Sequence, residues 1–275
     1  MNSKKTKKLA LLIGINYINS SDNSLSLNGC INDVKNVKKT LITQMGYLEK
    51  DIVMLTDESL LDKKKHPTRQ NILYNIYMLV FRARIDRSVS EIFIHFSGHG
   101  TYIRDTNYDE ADGRDECIVP CDFESRGIIT DDALQYYLKL IPKQVKCFCL
   151  FDSCHSGTVT DLQYMYDYNL KNWQKQNKKI LSSDVIMVSG CRDDQTSYDF
   201  FAVSRFTQDL EPNQFMGAMT CAFLSTLYKF NFSVTIHDMI VEMNAFMVQN
   251  GFDQSPQLSA SLSTLDPIRI KVFNS

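Results

Sequence analysis

Phe148-Cys149-Leu150-Phe151-Asp152-Ser153-Cys154-His155-Ser156-Gly157 joins an apolar run to a cluster of reactive side chains. A short apolar run ends at Phe151, and a carboxylate, a thiol and a glycine follow at once. Upstream, Ile92-Phe93-Ile94-His95-Phe96 runs into Ser97-Gly98-His99-Gly100 in the same manner. Both apolar runs read as buried strands. Each then delivers a reactive side chain, Cys154 or His99, just past its C-terminal end. In an open parallel sheet that end is where ligands bind. A thiol becomes a nucleophile when a neighbouring base or a lowered pKa supplies the thiolate, and a facing imidazole can be that base.

Outward from these two runs, strands and helices alternate. Residues 9–15 are a continuous apolar run, the first buried strand. Ile31, Val34, Val37, Leu41 and Ile42 recur at helical spacing over 30–45. Residues 51–56 predict a second strand. An amphipathic helix follows over 68–86, with Thr68 as its N-cap. The third strand is 91–96, and a polar, acidic loop spans 104–115. Residues 116–120 read as a short strand or hairpin arm, and Thr130-Asp131-Asp132 starts a helix over 131–140. The fourth strand is 146–151 and the fifth 184–189. Helices over 216–229 and 235–249 and a last strand over 267–272 complete the pattern. Residues 169–183 are polar and basic and read as a linker. This alternation predicts an α/β fold with a mostly parallel central sheet and helices on both faces.

The chain has 275 residues, 44% of them hydrophobic, enough to bury a sizeable core. A formal net charge of −2 offers no general attraction to nucleic acid or to an anionic membrane. Residues 1–8, with Lys4, Lys5, Lys7 and Lys8, read as a solvated basic tail. No apolar run approaches the length of a membrane-spanning helix. Residues 9–15 lack the pattern of a secretory signal. A cytoplasmic, reducing location is therefore expected. The eight cysteines then read mostly as small buried hydrophobes, with no disulfides. Cys117-x3-Cys121 with His95 and His99 lacks a second close ligand pair, so no zinc site is expected. No glycine-rich phosphate loop is present.

His99 has no local reason to be a core residue. The glycines beside it permit a sharp turn and inward-facing N–H groups, as an oxyanion hole requires. His95, mid-strand between Ile94 and Phe96, reads as a hydrogen-bonded packing residue. The expected chemistry is acyl transfer. Cys154 attacks a peptide carbonyl, His99 protonates the leaving amine, and the N–H groups of Cys154 and Gly100 hold the oxyanion. The carboxylates from Asp109 to Glu116, with Asp131, Asp132 and Asp161, are hard oxygen donors of the kind calcium prefers. From spacing alone a solvated acidic face is the better reading. Asp33 and Asp152 are each candidates for a pocket floor that selects a basic side chain. Alone, each signal is weak.

Taken together, the motifs resemble the metacaspases, among the caspase-like cysteine peptidases. The resemblance rests on Phe96-Ser97-Gly98-His99-Gly100-Thr101 and Asp152-Ser153-Cys154-His155-Ser156-Gly157-Thr158. The histidine precedes the cysteine by roughly 50 residues, as in caspase-type dyads. Gly29-Cys30-Ile31-Asn32-Asp33, Asp112-Gly113-Arg114-Asp115-Glu116, Ile129-Thr130-Asp131-Asp132, Gly217-Ala218-Met219-Thr220 and Ser255-Pro256-Gln257-Leu258 agree in order.

The resemblance implies the caspase–haemoglobinase fold in one peptidase domain. Its large-subunit-like part would be 9–168 and its small-subunit-like part 184–275. It implies cleavage of protein or peptide substrates after Arg or Lys. The basic side chain would lie among Asp33 and Asp152, with Cys30 and Ser97 lining the pocket. It also implies calcium as an activator outside the chemistry, on Asp115, Asp131, Asp132 and Asp161. That replaces the solvated-face reading of the acidic cluster. Two departures from the family pattern stand out. No proline- or glutamine-rich N-terminal prodomain is expected, and the stretch between Asp161 and Asp184 is short. Lys171, Lys175, Lys178 and Lys179 are candidate self-cleavage sites, although an exposed basic linker is the simpler reading.

The expected function is thus a calcium-stimulated, Arg/Lys-specific cysteine endopeptidase, a monomer without nucleic-acid or membrane partners and with a link to programmed cell death. A catalytically weak scaffold of the same fold, acting through protein binding, is the alternative. An Asp-specific peptidase would need an Arg-lined pocket, which the carboxylates beside the dyad do not offer.

Overall fold

The computed structural model describes residues 6–58, 62–104, 114–153, 162–176, 181, 183–190, 199–202 and 214–261, with main chain alone at 114 and 199–202. Its strands are β1 (Lys7–Gly14), β2 (Ile52–Thr56), β3 (Val89–Ser97), β4 (Gly100–Arg104), β5 (Arg114–Ile118), β6 (Ile129–Thr130), β7 (Lys146–Asp152), β8 (Tyr164–Asp167), β9 (Asn172–Lys175), β10 (Asp184–Ser189), β11 (Asp199–Ala202), β12 (Gln214–Gly217) and β13 (Gln257–Ala260). Its helices are α1 (Cys30–Thr43), α2 (Arg69–Ile85), α3 (Phe123–Arg126), α4 (Asp131–Leu138), α5 (Ala218–Lys229) and α6 (Ile236–Gln249).

Among the described residues the main sheet runs β2-β1-β3-β7-β10-β13-β8-β9. The first five strands are parallel and the last three antiparallel. The central strands are mostly apolar in their middles because both sheet faces are covered. Their side chains alternate between two cores. Leu9, Leu11 and Ile13 pack with Ile72, Ile76 and Leu79 of α2 and with Leu134 of α4. Ala10 and Leu12 face Val34 and Leu41 of α1, Phe223 of α5 and Met239 of α6. Phe223 lies against Phe93 and Phe148, with ring centroids 6.3 and 5.6 Å away. Burying such a ring contributes about 2–3 kcal/mol. A one-residue slip of any central strand would exchange these two cores, so the register is strongly specified.

Two expected caps are present. Thr68 accepts from the Asn71 N–H at 3.2 Å, and Thr130 from the Ala133 N–H at 3.4 Å. Three expectations need correction. Lys7 and Lys8 belong to β1, not to a tail. Their ammonium groups meet Asp86 at 3.3 Å and Glu91 at 3.5 Å, so paired charge keeps them in the strand. The stretch over 169–183 is not simply a linker, since it contains β9. Trp173 packs on Tyr166 at 5.1 Å, and Asp167 accepts the Asn169 and Leu170 N–H groups to close the hairpin turn. A polar, basic strand suits a sheet edge, where charge discourages further pairing. The arm expected over 116–120 instead begins at Arg114 and forms a separate sheet with β4 and β6. The strand expected over 267–272 lies outside the described residues. Among those described, no helix is long and apolar enough to cross a membrane.

Candidate active site

The parallel pair β3 and β7 sets the site. Ser97 stands opposite Asp152, each the last residue of its strand. The Gly98 N–H donates to the Asp152 carbonyl at 3.2 Å, which holds the two exits together. In sequence His99 lies two residues beyond Ser97, and Cys154 two residues beyond Asp152. Cys154 itself lies outside the described residues, as do Asp161, Lys178 and Lys179.

His99 is held on three sides. Its main-chain N–H donates to the Tyr17 hydroxyl at 2.9 Å. Its Nε2 is 2.7 Å from the Leu25 carbonyl. A carbonyl only accepts, so Nε2 carries the proton and Nδ1 is the basic nitrogen of the neutral ring. The Tyr17 ring lies 4.6 Å from the imidazole. Gly100 opens β4 opposite Ile118, and Val119 N–H donates to the His99 carbonyl at 3.1 Å. In an antiparallel ladder hydrogen-bonded and non-bonded pairs alternate, so the Gly100 N–H points away from β5.

His95 behaves differently, as its mid-strand position predicts. It is wholly buried and its Nδ1 donates to the Leu150 carbonyl at 3.0 Å. Burial lowers its pKa to about 4, outweighing the carbonyl bond, so the ring is neutral.

Asp33, in the first turn of α1, and Asp152 are 0% and 2% exposed. Their carboxylates converge beside Gly217, where a Cβ would overlap an oxygen of Asp152 and touch one of Asp33. Asp33 accepts the Ser97 hydroxyl at 2.7 Å and the Gly217 N–H at 3.0 Å. Asp152 accepts both the N–H and the hydroxyl of Thr220 at 2.8 Å. The start of α5 therefore docks on two acids from the other half of the chain. Cys30 is buried at the start of α1.

The second acidic group lies where β5 and β6 meet α4. Asp115 and Asp131 are buried and Asp132 is half-buried. Asp131 accepts the N–H groups of Glu116 and Asp132. Burial, reinforced by Asp131, Asp115 and Glu116, pushes the Cys117 thiol up to about 12. Among the described residues no three His, Cys, Asp or Glu side chains form a metal-ligand set. Lys171 sits in the β8–β9 turn at φ 52°, and Lys175 is paired to Tyr164 within the sheet. Cys30, Cys117, Cys121, Cys147, Cys149 and Cys221 form no disulfide.

Several residues of the site carry no assigned role in the sequence. Thr220 and Gly217 fall in a motif that marks the family resemblance, but local spacing says nothing of the acids they meet. Tyr17 and the Leu25 carbonyl have no sequence signal, since both act through tertiary contacts with His99.

The family model described as "Metacaspase, peptidase C14 domain" matches residues 7–163. Metacaspase-1 of Cryptococcus neoformans is 36% identical over 303 residues, covering 93% of this chain and 62% of that protein. Metacaspase-1 of Yarrowia lipolytica is 35% identical, covering 94% of this chain and 62% of that protein. This chain thus spans less than two thirds of either relative. Caspase-1 of Spodoptera frugiperda superposes with a TM-score of 0.57 at 11% identity, covering 96% of this chain and 91% of its own. That likeness is one of fold, and the fold is the caspase–haemoglobinase type. With the family model running through the β3 and β7 exits, the chain belongs to the metacaspase family.

Proposed function

We propose that this protein is a calcium-stimulated cysteine endopeptidase that cleaves after Arg or Lys. The observation that supports the reading is the Ser97–Asp152 register, which brings the ends of β3 and β7, each two residues short of His99 or Cys154 in sequence, to one sheet rim. In the proposed mechanism the Cys154 thiol attacks the peptide carbonyl. Nδ1 of His99 takes its proton and returns it to the leaving amine, while the Leu25 carbonyl keeps the other nitrogen protonated. The Gly100 N–H, turned away from β5, is a donor suited to the oxyanion. Asp33 and Asp152 would receive the substrate's cation. Both are buried and braced by Ser97, Gly217 and Thr220, so little reorganisation accompanies binding.

For calcium, the donor chemistry of Asp115, Asp131 and Asp132 fits a hard cation, with Asp161 as a further ligand. When bound, the cation would neutralise these neighbouring carboxylates and tie β5 to the start of α4. It acts as a switch and takes no part in bond breaking. A cytoplasmic monomer is the proposed working form. The β8–β9 turn at Lys171 is the more accessible of the two described self-cleavage candidates, because Lys175 is committed to a ladder.

The test is hydrolysis of fluorogenic peptides ending in Arg, Lys or Asp, with calcium or with a chelator. Arg and Lys peptides should turn over only with calcium, Asp peptides not at all, and Cys154→Ala should be inactive. Equal turnover by Cys154→Ala would end the assignment.

A further inference from the structure

Tyr17 joins three unusual features at one point. Its φ is +55°, in the left-handed region, which a bulky aromatic residue occupies only under constraint. The constraint is visible: Asp57, buried, accepts the N–H groups of Asn16 and Ile18, each at 3.0 Å, and grips the backbone on both sides. The side chain is then driven inward, 3% exposed, against His99.

The hydroxyl replaces half of a ladder pair. Residues paired across antiparallel strands in the hydrogen-bonded manner exchange two N–H···O bonds. His99 and Val119 exchange only one, from the Val119 N–H to the His99 carbonyl. The return bond is interrupted by Tyr17, whose oxygen accepts the His99 N–H at 2.9 Å and donates to the Val119 carbonyl at 2.7 Å. Both roles need a neutral phenol, and burial keeps the proton on by raising its pKa. The wedge holds the β4–β5 ladder open by one hydroxyl at the residue that carries the imidazole.

We propose that Tyr17 is a positioning residue for His99: its hydroxyl spaces the His99 backbone from Val119, and its ring, packed 4.6 Å from the imidazole at a tilt of 36°, fixes the direction of Nδ1. This rests on His99 being the catalytic base. Loss of the hydroxyl strands the His99 N–H and Val119 carbonyl, or lets the ladder close and draws His99 toward β5. Either displacement lowers the chemical step without touching the pocket that binds substrate, because small misplacements of a reacting group are costly in rate.

The experiment compares Tyr17→Phe with Tyr47→Phe in the full chain. Tyr47 is also buried, and its hydroxyl donates to Glu91 at the opposite end of β3, so it reports the cost of losing any buried hydroxyl. Tyr17→Phe should lower kcat about 10- to 100-fold with KM within about twofold. Tyr47→Phe should keep kcat. Rapid alkylation of Cys154 at mildly acidic pH, which needs an aligned imidazolium, should slow in Tyr17→Phe alone. An unchanged kcat in folded Tyr17→Phe overturns the inference, as does an equal loss in Tyr47→Phe. If Tyr17→Phe does not fold, Asp57→Asn loosens the same turn with the hydroxyl present. It must then give the kcat-selective loss, and an unchanged kcat there overturns the inference. His99→Ala and Cys154→Ala separate the two levels. If both are inactive while Tyr17→Phe is normal, only the role of Tyr17 fails. If either retains turnover, the dyad reading fails, and the role of Tyr17 with it.

Discussion

Two groups of acids are built differently. Asp33 and Asp152 are brought together from α1 and β7 and are met by donors from β3, β12 and α5. Asp115, Asp131 and Glu116 act together on the Cys117 thiol where β5 meets α4, and Asp131 accepts the N–H groups of Glu116 and Asp132. A carboxylate supplied with fixed N–H and O–H donors is oriented before any ligand arrives. Acids spread over a strand and the start of a helix gain when a cation joins the two elements. The first arrangement suits a permanent receptor for a substrate cation, and the second suits a switch that responds to metal concentration.

The largest effect should come from the first group. Asp152→Asn keeps the shape and removes the charge, so an Arg or Lys side chain would be buried without its partner. Truncating one side of a buried charge pair costs about 2–5 kcal/mol, or on the order of a thousandfold in kcat/KM. Turnover of Arg peptides measured at several calcium concentrations checks it. The loss should be the same at every concentration. A loss that extra calcium repairs would erase the distinction between the two groups.

His95 supplies the next effect, on the sheet that carries the first group. Its folded pKa is lowered to about 4 from 6.5. The unfolded chain therefore binds the proton first as pH falls. The stability from the neutral ring is complete above about pH 6.5 and is lost as pH drops toward 4. That loss is about 2–3 kcal/mol by pH 4.5. Urea unfolding of Cys154→Ala at pH 7 and 4.5, with and without His95→Leu, isolates the contribution. The histidine protein should lose more stability, by about this amount, than its leucine counterpart. Identical acid losses would mean that the buried ring is not responsible.

Asp131→Asn tests the second group. It removes one charge while leaving an oxygen to accept the Glu116 N–H. The calcium needed for half-maximal activity should rise about tenfold, a shift on the order of 1.4 kcal/mol. Activity at saturating calcium should recover. A lowered ceiling with an unmoved midpoint would place Asp131 in the pocket and not in the switch.

Much of this architecture is legible in the chain, for a physical reason. The strands β1, β3 and β7 are buried on both faces, so they read as unbroken apolar runs, and the rim that bears His99 follows from their ends. Short strands such as β4, β6 and β9 show no such period, because partners elsewhere in the sheet stabilise them. The polar β9 therefore looks like a linker. Asp33 and Asp152 attract notice locally, but their meeting depends on the β3–β7 register and on the docking of α5. Tyr17 carries no sequence signal, since its role is to bridge two backbone groups that are separate until the ladder forms.

Thr220→Val gives the smallest and most discriminating change. Valine matches threonine in shape and keeps the N–H that Asp152 accepts, but removes the hydroxyl bonded to the same oxygen. One donor to a charged group contributes about 1.5–3 kcal/mol when wholly lost. Here the remaining N–H and the α5 N-terminus retain part of it, leaving an expected KM rise of about fivefold for Arg peptides. The calcium midpoint should not move, because Thr220 braces Asp152 and has no part in the β5–α4 group. Asp152 is already oriented by its surroundings in this picture, so kcat should also hold. A drop in kcat with unchanged KM would mean that Asp152 steers the reacting atoms and not the substrate's cation. The contrast between a fixed receptor and a metal-responsive switch would then have to be redrawn around the dyad.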